Sequence, residues 1–205
     1  MALPASDAFT DTDGVQLTTH NTSFTLQTGD FDIQSNALSP DSGNSTKVLA
    51  RWNADTFDND QYAALTLIAR LDCSYSGIGP AVRVSSGAVT SYQYYVDRGS
   101  GYLSKFVAGT ETSLSESSYS LSVPALNAVL RIEASGTTIT ALIDGATTGA
   151  PTPQTDNAIA SGSGGIGGWT YATISRTNMR MDNWAAGNLG GGATGNPYYA
   201  FAQQM

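Results

Sequence analysis

Apolar and polar positions along the chain repeat with period two and almost nowhere with period 3.6. In Tyr62–Leu71 (YAALTLIARL), Leu65, Leu67, Ala69 and Leu71 share one face and Thr66, Ile68 and Arg70 the other, which predicts a β-strand. Lys47–Trp52 is a shorter neighbour of the same kind. Gly79–Ser85, Tyr92–Asp97 and Tyr102–Ala108 follow, separated by turns at Ser85-Ser86-Gly87 and Arg98-Gly99-Ser100-Gly101. Val129–Ala134 and Thr138–Ile143 flank Ser135-Gly136-Thr137, a hairpin signal. Leu130, Ile132 and Ala134 alternate there with Arg131 and Glu133, so the charged pair is expected to face water. Asp144-Gly145 supplies residues suited to positive φ.

Ala150–Gly168 reads as a Pro-, Ser- and Gly-rich loop running into a strand near Ile166 and Trp169. Tyr171–Trp184 carries the last long strand. Its alternation through Met179 and Met181 breaks at Asp182-Asn183, which predicts a β-bulge. Leu114–Leu126 has room for one helical turn, ended by Pro124. These elements predict an all-β fold, a two-sheet antiparallel jelly-roll sandwich over residues 1–189. Residues 190–205 form a Gly-rich linker and an aromatic tail.

Composition narrows the function. Nine Lys and Arg against seventeen Asp and Glu give a net charge of −8, which argues against nucleic acid as a partner. Only 13% of the 205 residues are charged, so the surface is polar through Ser, Thr, Asn, Gln and Gly. Cys73 stands alone and cannot form an internal disulfide; a small buried hydrophobe is the expectation. No apolar run is long enough to span a bilayer, and no membrane partner is expected. Met1-Ala2-Leu3-Pro4 shows neither a basic nor an apolar signal region, so the expectation is synthesis in a cytoplasm without a signal peptide.

Three stretches resemble the concanavalin A-like lectin/glucanase superfamily in its laminin-G-like form. They are Asp7-Ala8-Phe9-Thr10-Asp11-Thr12-Asp13-Gly14 with Leu17; Leu130–Thr140 running into Asp144-Gly145; and Gly165-Ile166-Gly167-Gly168-Trp169 followed by Met181-Asp182-Asn183-Trp184 and Gly187-Asn188-Leu189. The resemblance implies that the first and last strands lie side by side, with Phe9 and Leu17 in the core. It also suggests, by analogy, bacteriophage structural proteins that decorate heads or tails. A fold of this kind hosts many unrelated sites, so it says little about function.

No catalytic constellation is found. Glucanases of the superfamily carry Glu-x-Asp-x-x-Glu on one strand, and retaining hydrolysis needs two carboxyl groups about 5 Å apart. Glu111, Glu116 and Glu133 do not provide that spacing. His20, the only histidine, lies in the polar stretch Thr18–Ser23 and reads as an exposed loop residue, with no Gly-x-Ser-x-Gly elbow to accompany it. No cofactor is required. Asp11, Asp13, Asp55, Asp58 and Asp60 offer oxygen ligands for calcium, and are equally ordinary turn formers. Tyr92, Tyr95 and Tyr102 offer aromatic planes for a glycan on an exposed sheet. Pro197, Tyr198, Tyr199 and Phe201 offer anchors for a neighbouring subunit or particle. The leading expectation is a non-enzymatic virion protein, a phage decoration or accessory protein that forms homo-oligomers or binds a capsid or tail protein. The alternative is a lectin-like carbohydrate-binding surface module.

Overall fold

Alternation turns into pleated strands wherever one face can be buried. A computed structural model describes residues 3–41, 46–70, 77–97, 99–118, 124–170 and 178–190. In chain order the elements are β1 (Ala5–Asp7), α1 (Leu17–His20), β2 (Phe24–Thr28), β3 (Phe31–Ile33), β4 (Leu38–Pro40), β5 (Thr46–Trp52), β6 (Gln61–Arg70) and β7 (Gly77–Val84). Then come β8 (Ser91–Val96), β9 (Ser100–Val107), β10 (Thr110–Ser118), β11 (Val129–Ser135), β12 (Thr138–Ile143), β13 (Gln154–Thr155), β14 (Ser163–Thr170) and β15 (Met179–Asn188).

Two antiparallel sheets form a jelly-roll sandwich. One has the order β13-β12-β11-β6-β15-β4-β3, with β1 also paired to β15. The other has the order β10-β9-β8-β7-β14-β5-β2. Val48, Ala50 and Trp52 of β5 meet Ala63, Leu65 and Leu67 of β6 and Leu130, Ile132 and Ala134 of β11 in one core. At its centre the rings of Phe24, Trp52 and Trp184 lie 5.0 Å apart in each pair. Among the described residues no helix is long and apolar enough to cross a membrane.

The first and last described strands pair as expected. Ala5, Ser6 and Asp7 pair with Ala186, Ala185 and Trp184, and Phe9 and Leu17 are fully buried. The bulge falls at Asp182-Asn183, where the register with β6 shifts and Asn183 takes φ 50°. Its extra residue switches the phase of the strand. Met179 and Met181 before it and Trp184 and Ala186 after it therefore all face the core. Asp144 (φ 50°) and Gly145 (φ 80°) form a two-residue turn closed by reciprocal bonds between Ile143 and Ala146.

Three local expectations change. Of the stretch Leu114–Leu126 expected to hold a helical turn, Leu114–Ser118 belongs to strand β10, because its register against β9 bonds the backbone across the hairpin, and 119–123 lie outside the described residues. Thr18–His20 belongs to α1, a single helical turn that drops Leu17 into the core. Arg131 does not face water freely. Its guanidinium lies 3.8 Å from the Tyr62 ring centre and donates to Glu133, leaving Arg131 buried. Cys73 lies outside the described residues.

Candidate functional site

The seven-stranded sheet carries the most distinctive surface. Alternation sends Ile78, Val82, Tyr92, Tyr94, Val96 and Leu103 inward. The outward positions are then Lys47, Leu49 and Arg51 on β5, Gly165, Gly167 and Trp169 on β14, and Gly77, Gly79 and Ala81 on β7. Ser91, Gln93 and Tyr95 on β8, and Tyr102, Ser104 and Phe106 on β9, complete that face. Glycine is required in the middle of it. A Cβ on Gly79 would stand 2.0 Å from the Tyr94 carbonyl oxygen, and one on Gly167 would fall 2.5–2.7 Å from the Gln93 amide. The result is a strip of bare backbone at Gly77, Gly79, Gly165 and Gly167, beside the small apolar cluster of Leu49, Ala81 and Val84, and across it the Gln93 amide lies. Gln93 Nε2 donates to Ser91 Oγ at 2.9 Å, while its Oε1 is buried without a hydrogen-bond partner.

The β9–β10 hairpin and the Ser85–Thr90 turn reach back over this face, where Val89 packs on Leu49, Ala81 and Val84. The β9–β10 turn, Ala108 (φ 48°) and Gly109 (φ 81°), curls back over the sheet. Lys47 Nζ donates to the Gly109 carbonyl, although β14, β7 and β8 separate β5 from β9 in the sheet order. The Gly109 amide donates to Val89 O at 2.8 Å, the Ala108 amide to Thr90 Oγ1 at 3.0 Å, and the Tyr95 hydroxyl to Glu111 Oε1 at 2.7 Å. Lys47 also lies 5.2 Å from the centre of the Trp169 ring. On this same outward face Gln93 is 1% exposed, Ser104 0% and Tyr95 8%. Tyr102 and Trp169 remain half-buried at the margin.

Of the three tyrosines singled out from the sequence, two belong together. Tyr95 and Tyr102 stack with ring centres 5.2 Å apart and planes at 22°. Burial first, then the Glu111 carboxylate, pushes the Tyr95 hydroxyl far above its ordinary pKa, and burial also raises that of Tyr102. Tyr92 is elsewhere. It points between the sheets, fully buried, donating to Asp156 Oδ1 at 2.5 Å and accepting from the Ile159 amide at 3.1 Å. Burial and Asp156 raise its pKa to about 12. Lys105 pairs with the same carboxylate, so this trio pins the loop before β14 to the sheet.

The five aspartates are dispersed among structural bonds. Asp11 accepts from the Thr12 amide at 2.7 Å and lies 3.1 Å from His20 Nδ1, while His20 Nε2 lies 3.0 Å from Asp7 Oδ1. His20 is thus clamped between two carboxylates and only 13% exposed, unlike the exposed loop residue expected. Burial lowers its pKa, but the bonds to Asp7 and Asp11 outweigh burial and raise it. Asp13 accepts from the Ser35 amide at 2.6 Å and Asp55 from the Trp52 indole at 2.8 Å. Asp58 exchanges bonds with the Asn188 amide, and Asp60 accepts from the Gly136 amide at 2.7 Å. Beside Asp60, the buried Arg83 donates to the carbonyls of Asn59, Ile159 and Gly136. Among the described residues no group of three or more His, Cys, Asp or Glu is placed to hold a metal ion. Pro197, Tyr198, Tyr199 and Phe201 lie outside the described residues.

Sequence reasoning missed Gln93, Lys47 and Trp169. A signal for their surface existed in the period-two glycines Gly77-x-Gly79 and Gly165-x-Gly167, which strip one face of side chains.

No family model and no curated protein matches this sequence. Solved structures do match the fold. Carbohydrate binding module CBM66 from Bacillus subtilis is 15% identical, with a TM-score of 0.56 over 81% of this chain and 92% of that one. The exoplasmic/lumenal domain of VIP36, in a Ca2+/Man3GlcNAc-bound form, is 12% identical, with a TM-score of 0.58 over 92% of each chain. The apo Crh5 transglycosylase is 10% identical, with a TM-score of 0.55 over 91% of this chain and 85% of that one. At these identities the likeness is one of fold alone: a two-sheet β-sandwich, shared by carbohydrate-binding domains and a transglycosylase.

Proposed function

We propose that this chain is a lectin-like module that binds a neutral glycan without turning it over, on the outward face of the seven-stranded sheet. The observation that carries the reading is the combination on that face of a glycine floor, an unpaired buried acceptor on Gln93 and the stacked Tyr95–Tyr102 pair. Sugar rings present apolar C–H faces that stack on aromatic planes and a rim of hydroxyl donors. Tyr102 and Trp169 supply the planes at the margin. Gln93 Oε1 supplies an acceptor. Leaving a buried acceptor unbonded is costly, so a ligand hydroxyl that reaches it gains more than an ordinary bond. The carbohydrate-binding domains among the similar folds support the same reading.

Binding without turnover is supported by the carboxylates of this face. Glu111 and Glu116 sit on the edge strand β10, and Glu111 is engaged by Tyr95. The VIP36 domain is a calcium-bound form, whereas the five candidate aspartates of this chain serve backbone and side-chain donors. A virion decoration protein, the leading expectation from the sequence, rests on analogy and on an aromatic tail outside the described residues, and no structural observation favours it. Affinity electrophoresis in polysaccharide gels, followed by a glycan array, tests the proposal. Retardation that is lost with Gln93→Ala and with Tyr102→Ala is expected. No retarded migration on any neutral polysaccharide overturns it.

A further inference from the structure

We infer that the β9–β10 turn is a strap that closes the glycan-binding face, fastened by Lys47, and that ligand enters only when this fastening opens. The inference rests on the function proposed above. Three observations carry it. The first is reach: a side chain on β5 touches the turn of a hairpin three strands beyond its own neighbour, so the contact bridges the whole floor. The second is burial. Gln93, Ser104 and Phe106 sit on the outward side of a sheet, where solvent is the default neighbour, yet they are at most 1% exposed.

The third is the polar inventory under the strap. A closed structural core satisfies its polar atoms. Here Gln93 Oε1 is sealed in without a donor, although its own Nε2 is bonded. Such an atom weakens the closed state and is relieved in an open one, where water or a sugar hydroxyl reaches it. The strap's own closing bonds are suited to reversal: one ammonium–carbonyl bond, one tyrosine–carboxylate bond and two amide bonds to the Ser85–Thr90 turn, whose Val89 stays packed on Leu49, Ala81 and Val84, at a hairpin tip where Thr110 and Thr112 are exposed. Lys47 also rests over Trp169, so one side chain both holds the strap and occupies an aromatic plane at the margin. Its release uncovers both.

Thiol labelling tests the strap without any ligand. In a full-length chain carrying Cys73→Ser and Ser104→Cys, the new thiol lies beneath the strap. Adding Lys47→Met removes the charge-assisted bond while keeping the aliphatic stem, and is expected to raise the labelling rate by ~10-fold or more. Glu111→Gln, which weakens the second fastening, is expected to act in the same direction. A thiol placed in the main core by Ala134→Cys should label no faster with Lys47→Met. An unchanged rate at Ser104→Cys in both variants, or equal acceleration at both thiols, overturns the strap. Binding of mannose and glucose oligosaccharides is then measured on the native and Lys47→Met chains. The strap predicts ~10-fold tighter binding in the variant. Faster labelling with unchanged or weaker binding refutes the strap as a gate and leaves the glycan site standing. Faster labelling with no binding by either chain removes the glycan reading instead.

Discussion

Phe9→Ala tests whether the opening segment is part of the sandwich. Phe9 follows β1, which adds three residues to the edge of β15, and its own φ of 46° turns the ring inward. That turn is held by the Phe9 amide donating to Asp7 Oδ1 at 2.7 Å. The ring is fully buried, 6.4 Å from Phe24, which is in turn packed on Trp52 and Trp184. Those neighbours belong to paired strands and cannot collapse into the space, so truncation costs about 3–5 kcal/mol of transfer and cavity energy. For a chain of this size each kcal/mol lowers the melting temperature by about 2–4 °C, so the expected fall is about 6–20 °C. Circular dichroism melts at fixed pH measure it, with the exposed Thr10→Ala as a control expected within about 0.5 kcal/mol of wild type. A Phe9→Ala protein melting within about 2 °C of wild type would refute the assignment.

Other perturbations address other parts of the molecule. Arg83→Met takes the donor from three carbonyls at one end of the sandwich, of which the Ile159 bond is buried, and should cost about 1–3 kcal/mol by urea denaturation; a loss below about 0.5 kcal/mol would show that water replaces the guanidinium. The raised pKa of His20 stabilises the fold fully below its unfolded value of 6.5, and that gain is lost as pH rises through the folded value. His20→Gln should therefore flatten the fall in stability between about pH 6 and 8, and parallel profiles for the two proteins would contradict the clamp. EDTA should shift the melting temperature by less than about 2 °C, and a larger, calcium-reversible fall would show that the aspartates rearrange around an ion.

The sandwich was legible because alternation is a local signal read one strand at a time. The broken phase at Asp182-Asn183 even located a bulge, since two Met before it and a Trp after it can share one core only through an extra residue. The short strands β2, β3 and β4 were not legible. Phe31–Ile33 and Leu38–Pro40 are buried throughout, so no alternation marks them. The site was half legible. Tyr95 and Tyr102 could be chosen by composition, but separating them from Tyr92 requires knowing which face of β8 looks inward. Every residue of β8 is buried, which hides that difference from a reading of exposure. His20 illustrates the remaining gap. A polar stretch reads as loop, and only the fold brings Asp7 and Asp11 to either side of the ring.

Glycan held on the outward face of the seven-stranded sheet would touch a small, contiguous set of residues. Titration of isotopically labelled protein with neutral oligosaccharides, followed by two-dimensional NMR, tests it most directly. Shifts are expected to be confined to the Gln93 side-chain amide, Tyr95, Tyr102, Ser104, Trp169 and the Ala108–Gly109 turn, with the β11–β12 hairpin silent. Saturable shifts centred on any other surface, or none at all across the sugars tried, would contradict it.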